Sequence, residues 1–314
     1  MDYEIFRCPS CHYGDLKNED TAVKCPNCQI EFPIVKGAPV LINESNSLFK
    51  FDDYQNSSGS SDLSSSLKGK FGIPSLSVNL SYKKIIAQMA IDLSEIENAS
   101  VLVVGAGMQK QEIIELMTSH NTLKITATDI DISSDVDIFC DGHDLPFKEG
   151  TFHAVITTAV LEHVADPGRV LSEIYRVTVP SGLVYSEFPF MQQVHEGAYD
   201  FFRVTLTGHR LLMKNYIELS AGMVAGPATA LAWALENFTL SFVSRKSLFV
   251  RRVTKLLSRY CFFWLKYFDY ILARNSSNSD SASCTYFYGK KSHEPVSLED
   301  IVEVYSGARG FQHL

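Results

Sequence analysis

The chain has 314 residues, 46% of them hydrophobic, and a formal net charge of −8. That length can bury a core of ordinary size, most simply one main domain with a small appendage. The acidic balance provides no general electrostatic attraction to nucleic acid, and the longest apolar stretch, residues 226–244, is broken as a membrane span by Glu236 and Asn237.

The first forty residues carry Cys8-Pro-Ser-Cys11 and Cys25-Pro-Asn-Cys28, two Cys-x-x-Cys knuckles. Each short knuckle turns its sulfurs to one side, so Cys8, Cys11, Cys25 and Cys28 are expected to close a tetrahedral S₄ site for a structural Zn²⁺. Such a site has no open position for substrate, and so small a module needs the metal to fold. His12, beside a ligand, is read as a surface residue. With seven cysteines in all and no secretory signal at Met1-Asp-Tyr-Glu-Ile, a reducing, cytoplasmic setting is expected. The zinc module is assigned to residues 1–45. A flexible linker follows over 46–78, centred on the Ser-rich run 56–66.

A helix is expected over 82–93, where Ile85, Ile86, Met89 and Leu93 form one stripe. Strands and helices then alternate: strand 100–104, helix 111–119, strand 124–128, a short strand near 137–140, strand 154–158 and helix 167–177. The last helix starts after Asp166, a plausible cap, with proline in its first turn. Residues 179–182 read as a turn before strand 183–188, and strands over 217–224 and 284–288 complete the set. The alternation predicts an α/β fold with a parallel sheet covered on both faces.

Three of these strands end on chemistry. The first reaches the turn Gly105-Ala-Gly107, where the backbone can approach a ligand closely. The second ends at Asp129, placed to accept hydrogen bonds from ribose hydroxyls. After the third come Asp141 and Gly142, where an adenine amino group could be read. The loop after residue 188 holds His195, Glu196, Asp200 and Arg203 among aromatics, beyond the carboxyl ends of the strands where such sheets bind ligands. Asp200 and Arg203 are candidates for substrate contact, with an ion pair ordering the loop as the alternative. His195 is the candidate general base.

The insert 226–273 contains no acid from Asn237 to Phe268, and its Arg and Lys residues interleave with Phe, Tyr and Trp. Basic helices with an aromatic face read as membrane-surface elements. Packing on the sheet, with the charges solvated, is the other reading. Residues 294–314 form a C-terminal tail that carries no functional signal.

The combination of Gly105-Ala-Gly107, Asp129, Cys140-Asp-Gly-His-Asp-Leu-Pro-Phe147, Gly150-Thr-Phe-His-Ala-Val-Ile156 and Leu161-Glu-His-Val164 resembles the class I S-adenosylmethionine-dependent methyltransferases. The resemblance implies a seven-stranded Rossmann-like methyltransferase sheet over 79–293, with its seventh strand antiparallel. It also implies S-adenosylmethionine held by Gly105, Gly107, Asp129, Asp141 and Gly142. Val103 stands where the family usually has an acid, and Gln109 replaces the third glycine of its turn. The cysteine knuckles with Gly37-Ala-Pro-Val-Leu-Ile42 resemble zinc ribbons of the tRNA-methyltransferase-activator type. His195, Asp200-Phe-Phe-Arg203 and Thr205 look like methyltransferases of bacterial envelope glycan pathways. The expected function is therefore methylation of a sugar or lipid-linked intermediate by a cytoplasmic protein, peripheral at the inner face of the membrane. The alternatives are an RNA methyltransferase that uses the zinc ribbon and the basic insert, and a non-catalytic scaffold of the same fold.

Overall fold

A computed structural model describes residues 3–19, 21–55, 73–107, 110–118, 123–244 and 246–308. Gln109 and the Ser-rich run 56–66 lie outside the described residues.

The N-terminal module is a four-stranded antiparallel sheet in the order β1 (Lys17–Asn18), β2 (Ala22–Lys24), β3 (Glu31–Val35), β4 (Ala38–Pro39). The short helix α1 (Phe51–Gln55) and then α2 (Tyr82–Asp92) follow. The main sheet comprises β5 (Ser100–Val104), β6 (Lys124–Asp129), β7 (Ile138–Phe139), β8 (Phe152–Thr157), β9 (Thr178–Pro189), β10 (Tyr216–Ala225) and β11 (Cys284–Lys291). Its seven strands run in the order β10-β11-β9-β8-β5-β6-β7. Neighbours from β7 to β9 are parallel, whereas β11 is antiparallel to both β9 and β10.

The β-branched run of β5 is buried on both sides because each face of the sheet is covered. Val101 and Val103 face a core built from Ile85, Ile86 and Met89 of α2 and from Ile113 and Met117 of α3 (Lys110–Thr118). Leu102 and Val104 face Val170, Leu171, Ile174 and Val177 of α4 (Pro167–Val177). Asp166 caps α4 by accepting from the Arg169 N–H at 3.0 Å. The remaining helices are α5 (Leu206–Leu212), α6 (Pro227–Ser241), α7 (Leu248–Phe262), α8 (Asp269–Leu272) and α9 (Leu298–Glu303).

Two boundaries differ from expectation. Residues 179–182 do not separate helix from strand as a free turn but form a bulge inside β9. The register moves from Phe152 opposite Thr178 to Ala154 opposite Leu183, and Ser181 takes up a positive φ of 61°. The proposed linker 46–78 is also too long. Ser47 and Tyr54 are buried at one end and Leu76 at the other, because residues 43–55 lie on the main domain.

The N-terminal module is itself docked there. Val40 bridges Phe139 in parallel and the Leu41 N–H donates to the Phe139 carbonyl at 2.8 Å, which covers the β7 edge of the sheet. Phe6, Val23 and Phe32 share one apolar cluster with Leu102, Phe147 and Ile174. Arg7 pairs with Glu173 at 3.1 Å.

Candidate active site

The two knuckles fold alike. The Cys8 carbonyl accepts from His12 N–H and the Cys25 carbonyl from Gln29 N–H, each at 2.9 Å, and His12 and Gln29 both sit at φ 62°. The four sulfurs lie within 4.8 Å of one another. Cys8 Sγ is 3.7 Å from Cys28 Sγ, and Cys11 Sγ is 3.5 Å from Cys25 Sγ. Tetrahedral zinc with Zn–S bonds of about 2.3 Å separates its sulfurs by about 3.8 Å, so the donor set fits that ion. His12 is exposed, as expected of a bystander.

At the carboxyl edge of the main sheet, β5 runs into Gly105, which has φ 67°. A Cβ at this residue would stand 2.2 Å from Val160 Cγ2, so backbone conformation and space both require glycine. Gly107 has φ 49°, and its N–H donates to Asp129 Oδ2 at 2.7 Å. Asp129 ends β6, and its other oxygen accepts from the Asp131 N–H at 2.9 Å. Each carboxylate oxygen retains a lone pair for a ligand hydroxyl. Lys110, where a dinucleotide fingerprint would have its third glycine, opens α3 and pairs with Asp137 at 3.1 Å.

Asp141 follows β7 and caps the turn Gly142–Asp144. Its Oδ1 accepts from the His143 backbone N–H at 2.9 Å and contacts His143 Nδ1 at 2.6 Å, while Ser47 Oγ donates to Oδ2 at 2.6 Å. Burial pushes this carboxyl up, but the His143 and Ser47 hydrogen bonds outweigh it and the net shift is downward. An adenine amino group at Asp141 would therefore share Oδ2 with Ser47. Sequence reasoning missed Ser47, because it lies in a stretch that reads as linker.

Beyond β8, the loop carries Ala159 at φ 54°, a backbone conformation seldom adopted by alanine and concentrated at functional sites. Glu162 and His163 follow. Glu162 is 1% exposed, and burial pushes its carboxyl up to about 7. His163 Nδ1 lies 2.7 Å from the Tyr199 carbonyl, and its Nε2 is 3.2 Å from His195 Nε2. Burial lowers the His163 pKa. The loop after β9 thus brings His195, the expected base, against His163 of the Leu161-Glu-His-Val164 motif.

For Asp200 and Arg203, expected as substrate contacts or else as an ion pair ordering the loop, the structure corrects the first reading in favour of the second. Arg203 Nε donates to the Gln192 carbonyl, Nη1 to Asp200 and the Phe202 carbonyl, and Nη2 to Asp200 and the Gln193 carbonyl. All five guanidinium N–H groups are spent inside the loop. Asp200 also accepts from the His195 N–H at 2.9 Å, and its pairing with Arg203 holds its carboxyl well below the usual range. The pair orders the loop and leaves no donor for substrate.

Glu187, near the end of β9, was also missed. It accepts from the Tyr185 hydroxyl at 2.6 Å, and burial pushes its carboxyl up to about 7. Trp233 of α6 lies edge-on to His195 with ring centroids 6.4 Å apart, so the insert borders the site. A cleft of about 520 Å³ lies elsewhere, between residues such as Phe190, Arg210, Asp280 and Tyr305, and no candidate residue lines it.

Residues 102–186 match the model of a methyltransferase domain family. Those residues are the strands and turns that carry the glycine turn, Asp129, Asp141 and Glu162. That stretch, about a quarter of the chain, is similar to the methyltransferase domain family. A curated relative, the ubiquinone/menaquinone biosynthesis C-methyltransferase UbiE of Desulfotalea psychrophila (strain LSv54 / DSM 12343), is 46% identical over 43 residues. That match covers 14% of this chain and 18% of the relative, so the chain aligns with under a fifth of the relative's length. Among solved structures, Haemonchus contortus phosphoethanolamine N-methyltransferase 2 in complex with S-adenosyl-L-methionine is 15% identical with a TM-score of 0.42, covering 66% of this chain and 52% of that one. A chain from the complex of the Haloferax volcanii Trm112 methyltransferase activator with a methyltransferase is 15% identical with a TM-score of 0.38, covering 68% and 94%.

Proposed function

We propose that the protein is an S-adenosylmethionine-dependent methyltransferase. The observation that carries this reading is the pairing of the left-handed Gly105–Gly107 turn with Asp129 at the ends of two adjacent strands, inside the segment that matches the domain family. When bound, the cofactor supplies a methyl group on a sulfonium. Gly105 and Gly107 admit its methionine part, Asp129 its ribose, and Asp141 with Gly142 its adenine. Transfer then depends on in-line placement of the acceptor and exclusion of water. His195, on a loop ordered by Asp200 and Arg203, is the base in this reading if the acceptor is a hydroxyl.

The acceptor in this reading is a sugar or lipid-linked intermediate, met at the cytoplasmic face of an anionic membrane. Among the described residues no helix is long and apolar enough to cross a membrane. In α7, however, Ser258 is the one buried residue, while Leu248, Phe249 and Leu257 are exposed. Trp264, Tyr267 and Phe268 continue that apolar surface, and Arg252 and Lys246 are exposed around it. An apolar face edged with cations complements anionic lipid. The same insert reaches His195 through Trp233.

Calorimetric titration with S-adenosylhomocysteine should give micromolar binding that is lost in Asp129→Ala. Absence of binding by a folded, zinc-loaded wild type would leave the scaffold reading. Sedimentation with phosphatidylglycerol vesicles should capture the protein, with loss in Phe249→Glu/Leu257→Glu. Salt-sensitive binding to RNA, with no capture by vesicles, would favour the RNA reading instead.

A further inference from the structure

The His163–His195 contact lies against a buried carboxylate that has no hydrogen-bond donor of its own. His163 directs Nδ1 at the Tyr199 carbonyl at 2.7 Å, so Nδ1 carries the proton and Nε2 presents a lone pair. His195 Nδ1 lies 3.3 Å from the Gln193 carbonyl and 3.4 Å from Arg203 Nη2, an acceptor and a donor, so these neighbours leave its Nε2 able either to donate to His163 or to present a lone pair. The two Nε2 atoms face each other at 3.2 Å. Glu162 Oε1 lies 3.7 Å from one and 4.0 Å from the other, beyond hydrogen-bond reach. Glu162 Oε2 is buried with no hydrogen-bond partner, on a side chain 1% exposed. A buried carboxylate oxygen without a donor is costly, and no side-chain donor reaches this one. A proton shared by the imidazoles would satisfy the nitrogens but not the carboxylate.

We propose that Glu162, His163 and His195 form a divalent metal site, distinct from the cysteine cluster, that takes a first-row transition ion of the zinc or iron(II) class. Two imidazoles and one carboxylate are the donor set for such ions with open positions. Bonds of about 2.0–2.1 Å in tetrahedral geometry separate ligand atoms by about 3.4 Å. The observed 3.2, 3.7 and 4.0 Å bracket that spacing with only small side-chain movement. The second shell is built. The Tyr199 and Gln193 carbonyls orient the rings, the Asp200 carboxylate holds the His195 backbone, and the Glu162 carbonyl accepts from Phe201 N–H at 2.8 Å, tying the two loops together. The His side chains are 20% and 22% exposed, so an ion can enter and its free positions face solvent.

The site lies at the ends of β8 and β9, beside the turn that Val160 packs against. Its use rests on the methyltransferase reading: an ion here has positions open to an oxygen of the acceptor, and with His195 Nε2 as its ligand the ion, in place of His195 as base, would lower the proton affinity of that oxygen. Its existence does not depend on that reading.

The test is a Co²⁺ titration of the full chain, freed of metal under reducing conditions and followed by visible absorption. The expected result is two equivalents. One carries the thiolate charge-transfer bands of the cysteine cluster, and the other shows weaker d–d bands without them. His163→Ala/His195→Ala should lose the second equivalent and keep the first. His195→Gln, confined to the loop, should weaken the second at least tenfold if the double variant does not fold. A single equivalent in wild type, or a second one undisturbed by these variants, overturns the proposal. S-adenosylhomocysteine titration of the same samples separates the two claims. Two equivalents without S-adenosylhomocysteine binding retain the metal site and remove the methyltransferase reading, and binding with one equivalent does the reverse.

Discussion

Gly105 meets two separate constraints, a left-handed backbone and the Val160 side chain. Gly105→Ala must therefore either push Val160 and its loop outward or distort the turn, at a cost of about 1–3 kcal/mol. Thermal unfolding should register that loss, and S-adenosylhomocysteine affinity should fall at least tenfold. Glu187 offers a pH dependence with a definite sign. Burial raises its folded-state pKa from the ordinary 4.5 to about 7, so the folded protein binds the proton more tightly than the unfolded chain. That stability is fully present below about pH 4.5 and is lost as pH rises through 7, reaching about 3 kcal/mol as an upper bound. Glu187→Gln should then be more stable than wild type at pH 8, with the difference shrinking towards pH 5. Chemical denaturation at several pH values checks this.

The insert shows how one element depends on another far along the chain. Asp269, the first acid after the acid-free run, is fully buried beneath the start of α6. It accepts from the N–H groups of Gly226, Ala228 and Thr229 at 3.1, 2.8 and 2.9 Å. A carboxylate there satisfies donors that the helix cannot satisfy itself and complements its dipole. Asp269→Ala should cost about 2–4 kcal/mol, with Asp269→Asn milder because one amide oxygen still accepts. Melting temperatures of the two variants measure the ranking. Glu236, which interrupts the apolar run as a membrane span, is buried and bonded to Arg259 at 2.8 Å. It joins α6 to α7 while the apolar face of α7 remains unpacked.

At the scale of the whole molecule, the cysteine cluster and the active site are mechanically linked. Asn43 and Asn46 donate to Asp144 at 3.3 and 3.0 Å, Ser47 to Asp141, and Phe49 stacks on Tyr199 with centroids 6.3 Å apart. Residues 43–50 therefore run from the cysteine-bearing module across the Asp141 end of the sheet to the loop that holds His195. The module also supplies side chains to the core of the main sheet. Structural zinc in such modules contributes folding energy directly, about 10–16 kcal/mol of apparent binding. Chelation, or Cys8→Ser with Cys11→Ser, should lower the melting temperature of the entire chain rather than release a separate small transition. It should also weaken S-adenosylhomocysteine binding. A calorimetric scan resolving an undisturbed main transition would contradict this coupling.

Local rules acting over a few residues determined much of this protein from its sequence. The buried runs of β5 and β8 and the Asp166 cap with Pro167 are periodicity and capping. The spacing of glycine turn, Asp129 and Asp141 follows from strand and helix lengths, and each Cys-x-x-Cys knuckle closes on itself. Tertiary structure decided what depends on partners remote in sequence. Ser47 lies in a polar stretch and became an Asp141 partner only because the module docks on the β7 edge. Asp200 and Arg203 read equally as substrate contacts or as an ion pair ordering the loop, and folding decided for the pair. Glu162, 25 residues before Glu187, reads as part of a motif, and burial made it an unpaired carboxylate. Its approach to His195 arises because β8 and β9 are neighbours whose loops leave the same edge. Desolvation and convergence are properties of the assembled sheet, and no short window of sequence contains them.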